Sequence, residues 1–178
     1  MGNETIITSA SLSNFFYKDL SLKNKVFPCP LPEEFLFYSS LTLEEYSLSS
    51  KFFEIEEGRT TEKILGMRYL ESKLKTRDEK LSELKDIGDT VLVLLGFFSD
   101  SVDNKIISRE YYLSIAQNAY SDLGKMDSSF YDIPHFYDLF ASSLGNTVKL
   151  LEAVATEFKM ADKEQYLLNL EVPHKKVI

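Results

Sequence analysis

Between Arg77 and Phe98, Leu81, Leu84, Gly88, Val91 and Leu95 recur at alternating spacings of three and four. A helix turns every 3.6 residues, so these positions share one face. Thr76 and Glu79 stand three apart just ahead of it, as a capping box requires. In that motif the two side chains satisfy backbone N–H groups left free at the helix start. From Val91 to Phe98 every residue but Gly96 is apolar. A helix apolar on all sides belongs in the centre of a bundle. Each glycine costs roughly 1 kcal/mol relative to alanine inside a helix, so Gly88 implies close approach by a neighbouring helix, and Gly96 reads as the same or as a local distortion.

Other segments repeat the helical period. Leu12, Phe15, Phe16 and Leu20 predict a short N-terminal helix, and the prolines from Pro28 to Pro32 end it. Pro32, Glu33 and Glu34 suit the opening of the next helix. Thr42 and Glu45 form a second capping-box pattern, which predicts a new helix start there. Ile64, Met67, Leu70 and Leu74 fall on one face beyond Thr61. Ser108 reads as an N-cap for a stripe of Tyr112, Ile115, Ala116, Ala119, Tyr120 and Leu123, with Gly124 as the C-terminal glycine. Asp132 and Pro134 are expected to open the last helix, whose stripe is Tyr137, Phe140, Leu144, Val148, Leu151, Ala155 and Phe158. Strand alternation is sustained nowhere. The reading is an all-α, single-domain helical bundle of about six helices over residues 31–170. A poorly defined N-terminal segment, 1–30, precedes it and a tail, 171–178, follows.

Charge and composition exclude several functions. The 178-residue chain carries a net charge of −8, which repels a phosphate backbone, so nucleic acid is a poor partner. The basic residues from Arg59 to Lys85 are interspersed with glutamates and read as a solvated helix face. Cys29 is the one cysteine, which precludes an intrachain disulfide and suits a reducing compartment. No signal peptide is expected, and the Val91–Phe98 run is far short of the ~20 residues that span a bilayer. The expected place is therefore the cytoplasm, with no membrane partner.

The stretch Gly88–Lys105, followed by Tyr111–Leu123, resembles an uncharacterised family of helical bacterial proteins. The pattern is carried by Gly88, Asp89, Gly96, Phe97, Phe98, Ser101, Lys105, Tyr111, Tyr112, Ala119 and Tyr120. The resemblance is clearest over 88–123 and extends loosely from about 60 to 158. It implies a helical, bacterial, cytoplasmic protein and brings no activity with it.

No catalytic set, cofactor or metal site is expected from the chemistry-bearing residues. There are two histidines, His135 and His174. Glu171 and His174 have ExxH spacing, but Pro173 lies between them and no second pair exists. Phosphate-binding glycine loops and nucleophile elbows are absent. Asp89 is the unusual residue. A buried carboxylate needs partners, and the candidates are tyrosine hydroxyls, Arg68 or free backbone N–H groups. It reads as a buried carboxylate that fixes helix register, as a functional carboxylate in a pocket, or as an exposed one. Two functions follow. The first is a non-enzymatic protein-interaction or adaptor module, binding another protein or a second copy through its abundant aromatic residues. The second is a small-molecule-binding protein or enzyme with a pocket near Asp89, Tyr111 and Tyr112. The candidate functional positions are Gly88, Asp89, Gly96, Phe97, Phe98, Tyr111, Tyr112 and Tyr120.

Overall fold

The computed structural model describes residues 9–48, 59–99, 102, 108–126 and 129–160. These contain six helices and no strand: α1 (Ser9–Asn24), α2 (Glu33–Leu48), α3 (Arg59–Ser72), α4 (Arg77–Phe97), α5 (Arg109–Lys125) and α6 (Phe136–Met160). The fold is an all-α bundle.

Helix α4 is its axis. Every residue from Ile87 to Phe97 is buried, and α5, α6, α3 and α2 all pack against it. The capping box is in place, with Glu79 Oε2 accepting from the Thr76 N–H at 3.1 Å and from its hydroxyl at 2.7 Å. Both glycines mark close approaches. A methyl at Gly88 would stand 2.6 Å from Tyr120 Cζ on α5, and one at Gly96 would stand 2.7 Å from Leu151 Cβ on α6. The stripes of α5 and α6 are buried as their spacing predicts, and Ser108 caps α5 by accepting from the Tyr111 N–H.

Helix α1 shares this core through Leu12, Phe16 and Leu20. Its proline-containing link to α2 is clamped by Asn24, which exchanges two hydrogen bonds with the Leu31 backbone at 2.8 and 2.9 Å.

Four local expectations are corrected. Thr42 starts no helix; it lies inside α2, where its hydroxyl donates to the Tyr38 carbonyl one turn back at 3.0 Å. No glycine or proline interrupts the chain there, and Tyr38, Leu43 and Tyr46 bury a continuous face, so packing overrides the cap signal. The predicted inner face of α3 is turned outward. Met67 and Leu70 are exposed, as is Leu74 beyond the helix end, whereas Leu65 and Ser72 are buried. Gly124 lies within α5 and Met126 takes the C-cap; the glycine instead admits the Asp138 carboxylate, whose Cγ would stand 2.5 Å from an added methyl. Asp132 and Pro134 precede α6, which begins at Phe136.

Candidate functional site

Asp89 is 1% exposed. Its partners come from three helices. Tyr38 of α2 donates its hydroxyl to Oδ1 at 2.6 Å, and Tyr120 of α5 donates to the same oxygen at 2.7 Å. Lys85, one turn back on α4, donates to Oδ2 and closes an i,i+4 ion pair. Arg68, a sequence candidate for this role, goes instead to Glu83 and Asp86. At the next residue of α4, the Tyr46 hydroxyl meets Thr90 Oγ1 at 2.7 Å. Asp89 therefore joins α2, α4 and α5 at one point.

The electrostatics follow from this enclosure. Burial, reinforced by the Asp89 charge, pushes the Tyr38 and Tyr120 hydroxyls well above the ordinary phenol value. They remain protonated donors throughout the physiological range. Burial opposes the Lys85 ammonium, but the Asp89 carboxylate outweighs that penalty and raises its pKa. Lys85 Nζ also lies 5.6 Å from the centre of the Tyr38 ring, within cation–π range.

Rings fill the space around the carboxylate. Tyr120 stacks on Tyr137 at 6.0 Å and meets Phe140 edge-on at 5.0 Å. Tyr38 packs edge-on against Phe130 and Phe140, each at 4.9 Å. With two hydroxyls, one ammonium and this shell in place, Asp89 is a joint between helices.

The structure brings Gly88, Asp89 and Tyr120 together and separates the remaining candidates from them. Gly96 and Phe97 lie at the far end of α4, where Phe97 meets Phe16 edge-on at 5.8 Å. Phe98 follows as the C-cap of α4. Tyr112 is buried in the core, while Tyr111 is exposed and places its hydroxyl over Gly66 of α3. Asp89 and Tyr112 are enclosed by packed side chains, whereas Tyr111 faces solvent. A groove of about 380 Å³ opens elsewhere, between α1 and α6.

From the buried ring of Tyr38 the aromatic packing continues to the surface. Phe130 contacts Tyr131 at 4.8 Å, and Phe37 contacts Tyr17, Phe130 and Tyr131 at 6.3, 6.1 and 6.0 Å. Phe37 is 42% exposed and Tyr131 73% exposed. Sequence reading missed this patch, which joins α1, α2 and the approach to α6. The backbone beneath it is unusual. Ile133 donates its N–H to the Phe130 carbonyl at 3.0 Å, closing a turn whose two central residues, Tyr131 and Asp132, have φ of 46° and 59°. Positive φ at both centres marks a type I′ turn, which favours Asn-Gly. A tyrosine at such a position is strained, and strain of this kind gathers at functional sites.

No family model matches the chain, and no curated protein or solved structure is significantly similar to it. Among the described residues, no helix is long and apolar enough to cross a membrane, and no cluster of three metal-ligating side chains occurs.

Proposed function

We propose that this chain is a non-enzymatic protein-interaction module that docks a partner on the patch of Tyr17, Phe37, Phe130 and Tyr131. The carrying observation is Tyr131, 73% exposed and held at a positive φ in ring contact with Phe37. Rigid tyrosine and phenylalanine rings supply contact area at little entropic cost and dominate binding hot spots. The patch stands on a fixed base, because Phe130 packs against Tyr38, whose hydroxyl Asp89 holds. The partner is another protein. A net charge of −8 on every copy opposes self-association. A cytoplasmic location belongs to the same proposal and draws support from the single cysteine.

Affinity capture from the native cell tests it, comparing the parent chain with Tyr131→Asn. Asparagine tolerates positive φ and removes the ring, so the fold is kept. A partner recovered by the parent and lost with the folded variant supports the proposal. Equal recovery by both, or no partner, overturns it. A dimer that dissolves with Tyr131→Asn would make the occupant a second copy and overturn the hetero-partner assignment.

A further inference from the structure

The aromatic patch is bordered by carboxylates. Glu33 lies four residues before Phe37 in α2, one turn back on the same helix face. Asp132 follows Tyr131 directly in the same tight turn. Both acids are exposed, and no described residue supplies either with an ion pair. Glu34, next to Glu33, is half-buried and carries the same sign. Beside Tyr17, Lys18 and Asp19 cancel. The rings between these acids are open to a ligand. Tyr131 is 73% exposed and lies 6.0 Å from Phe37, with the two rings inclined at 52°.

We propose that the patch takes an arginine-bearing segment of its protein partner, with a guanidinium on the Tyr131 and Phe37 rings and with Glu33 and Asp132 as its counter-charges. The inference rests on the docking reading of this patch and names the chemistry of what docks there. The face of an aromatic ring attracts a cation, and so does an unpaired carboxylate. One cationic group therefore satisfies both features at once. An acidic segment would meet like charge from both carboxylates and from a chain of net charge −8. A purely aliphatic segment would strip water from Glu33 and Asp132 and return no hydrogen bond. Arginine suits the place better than lysine. Its guanidinium is planar and weakly hydrated, so it lies flat on a ring while its N–H edge pairs with a carboxylate. The net charge of the chain also steers such a segment inward, most strongly at low salt.

Titration calorimetry on the full chain tests this with three synthetic decapeptides, in which alanine alternates with arginine, lysine or glutamate. The expected order of affinity is arginine, then lysine, with no binding of the glutamate peptide. Tyr131→Asn and Glu33→Gln/Asp132→Asn are each expected to weaken the arginine peptide by at least about threefold. Glu71→Gln/Asp78→Asn removes the same charge from exposed positions on α3 and α4 and is expected to leave the affinity unchanged. Far-ultraviolet dichroism checks that each variant is folded. Equal weakening by the two double variants overturns the proposal, because the attraction is then to the net charge. A lysine peptide that binds as tightly as the arginine one overturns the guanidinium assignment. Failure of the arginine peptide to bind also overturns the proposal. If a captured partner still depends on Tyr131, that failure leaves the docking patch itself standing. Peptide binding that needs Tyr131 and both acids supports the proposal even where capture recovers no partner.

Discussion

The ring of Tyr120 lies flat against the backbone of Gly88, so that three of its carbons would stand 2.6 to 2.9 Å from a methyl placed there. The same tyrosine reaches the neighbouring residue, donating its hydroxyl to Asp89 at 2.7 Å. Gly88 and Asp89 thus serve one contact: the glycine lets the ring approach and the aspartate anchors its far end.

This contact sets an order among the glycines. Gly88→Ala gains roughly 1 kcal/mol of helix propensity but drives a methyl into a ring that is fully buried and stacked on Tyr137. Overpacking of this kind costs about 1–3 kcal/mol, so a net loss is expected. Gly145→Ala meets nothing nearer than Leu113 Cδ2 at 3.9 Å and is expected to stabilise by about 0.5–1 kcal/mol. Denaturant midpoints at unchanged m-value measure both. A neutral or stabilising Gly88→Ala would show that the ring is not where it is described.

Asp89 Oδ1 accepts from both Tyr38 and Tyr120. Tyr38→Phe or Tyr120→Phe alone leaves one hydroxyl donor on that oxygen and is expected to cost about 1 kcal/mol. The double variant strips both, and the lost solvation of a buried carboxylate oxygen makes the total exceed the sum, by about 1 kcal/mol or more. Asp89→Asn keeps an acceptor for the tyrosines but removes the Lys85 ion pair. Lys85 is partly solvated, so this loss is expected to stay within about 1–3 kcal/mol. Strict additivity in the tyrosine cycle would break the shared-acceptor account.

Much of this arrangement is local in the sequence, and some is not. The buried faces of α4, α5 and α6 repeat every three or four residues, so Leu84, Tyr120 and Leu144 declare themselves without tertiary information. The Lys85–Asp89 pair is an i,i+4 contact on one helix, a spacing the sequence displays, yet the reading named Arg68 as the cation and missed Lys85. Tyr38 was not legible, because 51 residues separate it from Asp89 and nothing near it distinguishes it from other core tyrosines. The α3 face misled because periodicity shows that a stripe exists and leaves open whether a neighbour covers it. The aromatic patch was hidden for the first reason, since Tyr17, Phe37 and Tyr131 belong to three separate segments.

Stability is expected to fail at both ends of the pH scale. Burial and the hydrogen bond to Asp122 push Tyr69 up to about 12, and burial together with Asp89 raises Tyr38 and Tyr120 well above the ordinary phenol value. Their folded values exceed the unfolded value of about 10. The stabilisation is complete below that value and disappears as pH rises through the folded ones. At the acid end, Glu83 is held below its ordinary value despite burial, by Lys75 and Arg68, and Asp122 by Tyr69 and Lys125. That contribution is present above the ordinary carboxylate range and is lost as pH falls through the lowered values. Tyrosinate absorbance recorded alongside far-ultraviolet dichroism checks the alkaline limb. The buried tyrosines should ionise only as helix is lost. Complete ionisation near pH 10 with the helices intact would contradict the buried network.

At Tyr131 a backbone demand and an exposed ring act on one residue. Its φ of 46° suits glycine, and a residue bearing a Cβ pays about 1 kcal/mol to hold it. The ring offsets that cost through its contacts with Phe130 and Phe37, each worth about 0.5–1.5 kcal/mol. Tyr131→Gly gives up the ring but relieves the backbone, so a loss of no more than about 2 kcal/mol is expected. Tyr131→Ala gives up the ring and keeps the strain, and is expected to be less stable than the glycine variant by up to about 1 kcal/mol. That order inverts the usual advantage of alanine over glycine, and it is specific to positive φ. Chemical denaturation of the parent and the two variants measures it, and an alanine variant equal to or more stable than glycine would remove the strain. Partner capture should fail equally with both, because both lack the ring. The two assays together separate the structural cost of the turn from the binding surface it presents.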